Sequence, residues 1–125
     1  MFKYYNANPV NNYVGDCVVR AISTLTGKDW MTTKIEIFIE SCLMYDISTS
    51  NKVWHNYLKK QGYSRFVISN TCPYCYTIKQ FCKDHPYGKY LLALDGHVVA
   101  VIDGDYYDTW DSGNEIPIYF WKKEL

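Results

Sequence analysis

The amino-acid sequence predicts an α+β fold in which N-terminal helices pack on a C-terminal antiparallel β-sheet. Apolar residues recur at helical spacing through the first two thirds of the chain. From Lys89 onwards they form short runs rich in Val, Ile, Leu and aromatic residues. A block of helices followed by a block of strands is typical of this class. Because 125 residues suffice for one hydrophobic core, we expect a single domain spanning residues 1–125.

The first predicted helix begins at Cys17, after an Asn-rich and irregular segment that extends through Val14. Asp16 is the expected N-cap and Gly27 the expected stop. The apolar positions of this helix, at i, i+4 and i+7, are Val18, Ile22 and Leu25. Cys17 is therefore expected at the first helical position, where backbone N–H groups lack intrahelical partners.

The second predicted helix carries an apolar stripe, and the spacing of Thr33 and Glu36 predicts a capping box at its start. The stripe consists of Ile35, Phe38, Ile39, Cys42 and Leu43. A stripe of this kind ordinarily faces a core, so we expect these side chains to be buried.

Two shorter helices complete the helical part of the chain. The third ends at Gly62, and the fourth begins with a capping box of Thr77 and Gln80 and ends before Pro86. Their apolar positions are Val53, Trp54, Tyr57, Leu58, Ile78, Phe81 and Cys82.

The last third of the chain is predicted to form β-strands. The four runs that indicate them are KYLLALD, HVVAVID, DYYDTWD and IPIYFW. Asp103-Gly104, between the second and third runs, is a strong signal for a two-residue hairpin turn. Residues 65–69 are expected to add an edge strand.

Charge and hydropathy exclude several kinds of partner. Thirteen basic and thirteen acidic residues cancel, and no Lys/Arg run exceeds a pair, so nucleic acid is not an expected partner. No apolar stretch approaches the roughly 18 residues of a membrane span, and the first ten residues contain no signal-peptide core. We expect a cytoplasmic protein that does not bind membranes. Its five cysteines, an odd number, are expected to be free thiols.

Cys17 and His97 are candidate catalytic residues. The positive end of a helix dipole and a neighbouring imidazolium both lower the pKa of a thiol, which makes a thiolate available at neutral pH. His97 begins the HVVAVID strand, directly after Asp95-Gly96, and a histidine at a strand end can face a helix N-terminus. We predict that Cys17 is a nucleophile and that His97 is its general base.

The register of the predicted hairpin determines which residues lie near His97. A two-residue turn at Asp103-Gly104 pairs Ile102 with Asp105. Continued along both strands, this register makes His97 face Trp110.

Asp108 is the predicted third member of the site. Side chains two residues apart in a strand share a face, so Asp108 lies diagonally across from His97 and is expected to orient its imidazole. Trp110 is expected to act as a lid over this pair. A three-residue loop would shift the register by one residue and give the orienting role to Asp111 instead.

Three short blocks of the chain resemble papain-like cysteine peptidases. GDCVVRAI, GHVVAVIDG and YYDTWDSG are similar to the Cys, His and Asn/Asp blocks of that superfamily and occur in the same order. More closely, the chain resembles short proteins from phages and mobile elements of Gram-positive bacteria that carry the same GDC, GHVVAV and YDTWDSG blocks.

The resemblance implies a papain-like fold and a Cys17-His97-Asp108 triad that needs no metal or other cofactor. It further implies a hydrolase that cleaves a peptide, isopeptide or other amide bond in a peptide or protein substrate. The same triad also supports acyl transfer and deamidation.

The resemblance also implies a side chain that stabilises the oxyanion. Papain-like enzymes place a Gln six residues before the cysteine, whereas this chain has Asn11 there and Asn12 beside it. The amide of Asn11, of Asn12 or of Asn8 is therefore the candidate donor, together with the backbone N–H of Cys17.

The segment from Cys72 to Cys75 supports two competing hypotheses. Cys-Pro-Tyr-Cys is the dithiol sequence of glutaredoxins, which favours redox chemistry, but in those proteins it lies near the N-terminus of a βαβ unit. With Cys82 and His85 it also offers four zinc ligands, although all four lie within 14 residues. We expect neither a redox site nor a metal site, and we interpret these thiols as packing residues.

A second class of function stays open, namely a papain-fold protein that binds host machinery without catalysis. Selective alkylation of Cys17 is expected only of the enzyme. Arg20, one turn after Cys17, is expected to be a surface or ion-paired residue.

Overall fold

The structure is a computed structural model that describes residues 1–12, 14–69 and 76–123. Within these residues the chain forms four helices and a six-stranded sheet, a mixed architecture consistent with the predicted α+β class. The elements in chain order are β1 (Phe2–Tyr4), α1 (Cys17–Thr26), α2 (Trp30–Leu43), α3 (Asn51–Lys60), β2 (Tyr63–Val67), α4 (Ile78–Asp84), β3 (Lys89–Leu94), β4 (His97–Ile102), β5 (Asp105–Asp108) and β6 (Tyr119–Lys123). None of the helices described is long and apolar enough to cross a bilayer.

The strands are arranged in the order β1-β5-β4-β3-β6-β2. The four ladders from β5 to β2 are antiparallel, as predicted. At the other edge the prediction of an irregular N-terminus and a purely antiparallel sheet is wrong, because β1 pairs with β5 in parallel. Three residues are too short a segment for an alternating pattern to be recognised in sequence.

The predicted bounds of β2 and β6 need small corrections. The edge strand expected at residues 65–69 forms at Tyr63–Val67 and pairs with β6. The IPIYFW run becomes a strand only from Tyr119, after Pro117, which has no N–H to donate to a ladder.

Both faces of the sheet are covered by helices, and β3 and β4 contribute to both cores. Helices α1, α2 and α3 pack on one face, where the strands contribute Leu91, Ala93, Val98 and Ala100. Helix α4 packs on the other face, where they contribute Tyr90, Leu92, Val99 and Val101. Burial on both sides explains why these two strands are continuously apolar in sequence.

Three of the four predicted helices are confirmed in position. Helix α1 begins at Cys17 and ends before Gly27, which has a φ of 77°. Helix α4 has the predicted capping box of Thr77 and Gln80. The predicted apolar positions of α3 and α4 are all buried.

The start of α2 differs from the prediction. The helix begins at Trp30, and its N-cap is Asp29, whose carboxylate accepts a hydrogen bond from the backbone N–H of Thr32 at 2.7 Å. Thr33 and Glu36 therefore do not form a capping box. The hydroxyl of Thr33 donates to the backbone oxygen of Asp29, and Glu36 pairs with Lys28.

The orientation of α2 also contradicts the prediction that its apolar stripe is buried. All five stripe residues, Ile35, Phe38, Ile39, Cys42 and Leu43, are exposed. The buried side is formed instead by Thr33, Ile37, Glu40 and Ser41.

Polar contacts with α3 determine this orientation of α2. The buried carboxylate of Glu40 accepts hydrogen bonds from Asn56 at 2.7 Å and from Lys60 at 2.8 Å. Two groups of α3 thus satisfy the buried charge of Glu40, and the apolar stripe is turned away from the core.

Candidate active site

The helix α1 and the strand β4 bring Cys17 and His97 together. Cys17 is the first residue of α1, which packs against β4, and His97 is the first residue of β4. The strand begins there because Leu94 and His97 pair across the turn at Asp95-Gly96. The side chains of Cys17 and His97 lie close enough that each shifts the pKa of the other.

The hairpin of β4 and β5 has the predicted register and brings Asp108 to His97. Ile102 pairs with Asp105, and both turn residues, Asp103 and Gly104, have positive φ. Two positive φ values are characteristic of the type I′ turn that two-residue hairpins prefer. Nε2 of His97 lies 2.6 Å from Oδ2 of Asp108.

Asp108 is held in place by two further donors. Its side chain is almost fully buried, with 4% of its residue surface exposed. The hydroxyl of Ser112 donates to Oδ2 at 2.8 Å, and the backbone N–H of Thr109 donates to Oδ1 at 2.8 Å. Sequence reasoning missed Ser112. Its spacing of four residues from Asp108 within the YDTWDSG block was the available signal.

Asp111, the alternative third member, does not lie next to His97. Its carboxylate accepts hydrogen bonds from the hydroxyl of Tyr106 and from the backbone N–H of Gly113. Trp110 lies where a lid was expected, because its ring centroid is 5.0 Å from that of His97 and the side chain is partly exposed.

The electrostatics of the site favour a thiolate and an imidazolium. Burial raises the pKa of the Cys17 thiol, but His97, the backbone N–H of Val98 and the charge of Arg20 together outweigh burial, and the net pKa is lowered. Burial likewise lowers the pKa of His97, but its hydrogen bond with Asp108 and the neighbouring Cys17 outweigh burial and raise that pKa to about 9. Because Nε2 faces Asp108, Nδ1 is the ring nitrogen left to face the thiol.

Asp16 occupies the N-cap position of α1 without capping it. Its side chain makes no hydrogen bond to the helix backbone. The carboxylate instead pairs with Arg20 and accepts a hydrogen bond from Nε1 of Trp30 at 2.9 Å. Arg20 is thus ion-paired, as expected, and its positive charge also contributes to lowering the pKa of Cys17.

Cys17 and His97 open onto a cleft with a volume of about 820 Å³. The cleft runs between the N-terminal segment, α1, α2 and the start of α3. Asn8 and Asn12 line it, whereas Asn11 is exposed and does not.

Asn8 combines burial with an available donor. Only 4% of its surface is exposed, and its Oδ1 accepts hydrogen bonds from the backbone N–H groups of Val10 at 3.1 Å and Asn12 at 3.4 Å. Among the residues that the structure describes, none accepts a hydrogen bond from its Nδ2. Nδ2 is therefore free to donate to a molecule in the cleft.

Cys72 and Cys75 lie outside the described residues, so the dithiol and zinc hypotheses concern a segment that is not described. Of their proposed co-ligands, Cys82 lies on the buried side of α4, and burial raises its pKa to about 11. His85 stacks on Phe81 with a ring-centroid distance of 3.9 Å.

No protein-family model, curated protein or solved structure matches this chain.

Proposed function

We propose that this chain is a cysteine hydrolase of papain-like fold that uses Cys17, His97 and Asp108 to cleave a peptide, isopeptide or other amide bond. One observation carries the proposal. The thiol of Cys17, at a helix N-terminus, lies beside the imidazole of His97, whose Nε2 is hydrogen-bonded to the buried carboxylate of Asp108. These groups have the order and the contacts that nucleophilic catalysis by cysteine requires. The resemblance of the GDC, GHVVAV and YDTWDSG blocks supports a phage or mobile-element origin, and we propose a cytoplasmic location.

The proposed reaction has two halves. The Cys17 thiolate attacks the carbonyl carbon, and the tetrahedral intermediate then expels the amine, which takes its proton from Nδ1 of His97. This step leaves a thioester on Cys17 and a neutral His97. The imidazole next removes a proton from water, which attacks the thioester and releases the acid and the thiolate. Asp108 holds the ring orientation and stabilises the imidazolium throughout.

Asn8 is the proposed side-chain donor to the oxyanion. Asn8 lines the cleft that contains Cys17, and its Oδ1 is fixed by a local turn, so the amide is already oriented. The backbone N–H of Cys17, at the first position of α1, is the second proposed donor. Asn12 lines the same cleft and is the alternative.

Hydrolysis can be tested with a library of peptides of diverse sequence, incubated with the wild-type protein and with Cys17→Ala and His97→Ala. We expect new peptide termini, detected by mass spectrometry, with the wild type alone. A mass increase of about 1 Da on Gln or Asn without new termini would indicate deamidation instead.

The exposed apolar face of α2 favours a second candidate, a papain-fold protein that binds host machinery without catalysis. This alternative predicts no new termini and no chemical change in any peptide. It also predicts that Cys17→Ala binds its host partner as tightly as the wild type does.

A further inference from the structure

The exposed face of α2 forms a continuous apolar surface, the α2 stripe. It consists of Met31 together with Ile35, Phe38, Ile39 and Leu43 from the predicted stripe, and does not include Cys42. Phe38 is 57% exposed and Leu43 is 65% exposed. Met31 and Leu43 lie twelve positions apart, which corresponds to about 18 Å at the rise of an α-helix. A contiguous exposed apolar surface of this kind marks a binding site.

Folding of the chain does not explain the α2 stripe. The helix packs on its neighbours through Thr33, Ile37, Glu40 and Ser41, and Glu40 has two hydrogen-bonding partners on α3. The large apolar side chains are therefore on the side that contributes least to the core. We therefore infer that these side chains bind another molecule.

The α2 stripe is continuous with the candidate active site. Met31, Ile35 and Phe38, from its N-terminal half, line the same cleft as Cys17 and His97. A chain whose reacting bond lies at Cys17 can therefore continue along α2 without leaving the cleft.

Lys34 adds a positive charge to this wall. It lines the cleft, and its ammonium lies 5.7 Å from the centroid of the Trp30 ring. Within the described residues no carboxylate pairs with Lys34. Asp16 is the one acidic residue among the described residues that line the cleft, and Arg20 already pairs with it.

We propose that the α2 stripe and Lys34 bind the substrate chain itself, beside the reacting bond. The segment bound there carries at least two large apolar side chains and a carboxylate that faces Lys34. This inference rests on the proposed function and specifies the substrate class of the same site. A second copy of the chain is the competing occupant, but paired stripes would cover both clefts and shield Cys17 from substrate.

The probes for the test are acetylated peptides that carry a chloromethyl ketone and the sequence Leu-Glu-Leu-Ala-Gly. In these reagents the thiolate forms a bond to the methylene carbon and displaces chloride. Matched peptides have Ser in place of both Leu, or Lys in place of Glu. A second series carries a chloroacetyl group at the N-terminus, so that both sides of the reacting bond are sampled. Iodoacetamide, which carries no peptide side chain, reports the reactivity of Cys17 alone.

We expect Cys17 to react at least about tenfold faster with the Leu-Glu-Leu probe than with its Ser analogue in one of the two series. Ile35→Ser with Phe38→Ser should abolish this preference, and Lys34→Glu should reverse the preference for Glu over Lys. Because the three side chains are exposed, the iodoacetamide rate and the melting temperature should not change. Tyr87→Ser, which alters an even more exposed apolar side chain outside the cleft, should keep every preference.

Equal rates with all peptides in both series, at a normal iodoacetamide rate, would overturn this inference and leave the proposed function intact. A wild-type dimer in sedimentation velocity that Phe38→Ser dissociates would assign the stripe to a second copy and also overturn it. If Cys17 does not react with iodoacetamide at neutral pH, the proposed function fails and this inference fails with it.

Discussion

Nε2 of His97 and Oδ2 of Asp108 lie 2.6 Å apart, which joins the first residue of β4 to the last residue of β5. The contact fixes the imidazole with its other nitrogen toward Cys17. It also compensates the burial of the imidazolium and so raises the pKa of His97.

Replacing Asp108 should weaken the nucleophile. Asp108→Ala removes the carboxylate that stabilises the imidazolium, so the pKa of His97 falls and the thiolate loses its charged partner. We predict a decrease of about tenfold or more in the rate of Cys17 alkylation at pH 7, measured by mass spectrometry. Asp111→Ala is the matched control and should leave the rate unchanged. An equal effect of both substitutions would contradict the assignment of Asp108.

Ser112 should support the site through Asp108. Ser112→Ala removes a buried hydroxyl that donates to the carboxylate at 2.8 Å. We predict a loss of about 1 to 3 kcal/mol in the free energy of unfolding, measured by urea denaturation. Ser69→Ala, at an exposed position, should have no effect. The prediction is wrong if the two variants are equally stable.

Arg20 should be required to neutralise Asp16. The pair is largely buried, and Arg20→Met would leave the carboxylate with Trp30 as its remaining hydrogen-bonding partner. We predict a loss of about 2 to 3 kcal/mol in the free energy of unfolding. Asp16→Asn in the same background removes the buried charge while its Oδ1 can still accept from Trp30, so most of the loss should be recovered. A double variant as unstable as Arg20→Met would show that packing of Arg20, and not its charge, is responsible.

Asn8 should stabilise a tetrahedral oxyanion. Asn8→Asp keeps an oxygen for the turn with Val10 and Asn12 but removes the Nδ2 donor. We predict at least about tenfold weaker inhibition of Cys17 alkylation by a peptide aldehyde, which forms such an intermediate. The affinity of each variant for the aldehyde is compared after its inhibited alkylation rate has been divided by its uninhibited iodoacetamide rate. If Asn12→Ala weakens inhibition and Asn8→Asp does not, Asn12 is the donor.

The sequence was most informative where short-range rules act alone. The Asp103-Gly104 turn determines a register, and that register was enough to select Asp108 over Asp111 as the neighbour of His97. The position of Cys17 at the start of α1 likewise followed from local helix signals.

The predictions from sequence are wrong where tertiary contacts override helical periodicity. The apolar stripe of α2 has the spacing of a core-facing helix, but Glu40 is buried by its contacts with Asn56 and Lys60 of α3. Those partners are 16 and 20 residues away in the chain, so helical spacing does not reveal them. The prediction that the Asp16 side chain caps α1 is wrong for the same reason, because its partner Trp30 lies 14 residues away.

The pH dependence of iodoacetamide labelling at Cys17 tests the central claim most directly. In the wild type the pKa of Cys17 is lowered and that of His97 is about 9, so labelling should begin well below pH 9. In His97→Ala the lowering effect of His97 is lost while burial still raises the pKa of the thiol, so the whole profile should move to higher pH. The proposed catalytic site would be contradicted if labelling of the wild type began only near pH 9. It would also be contradicted if His97→Ala did not shift the pH dependence of labelling.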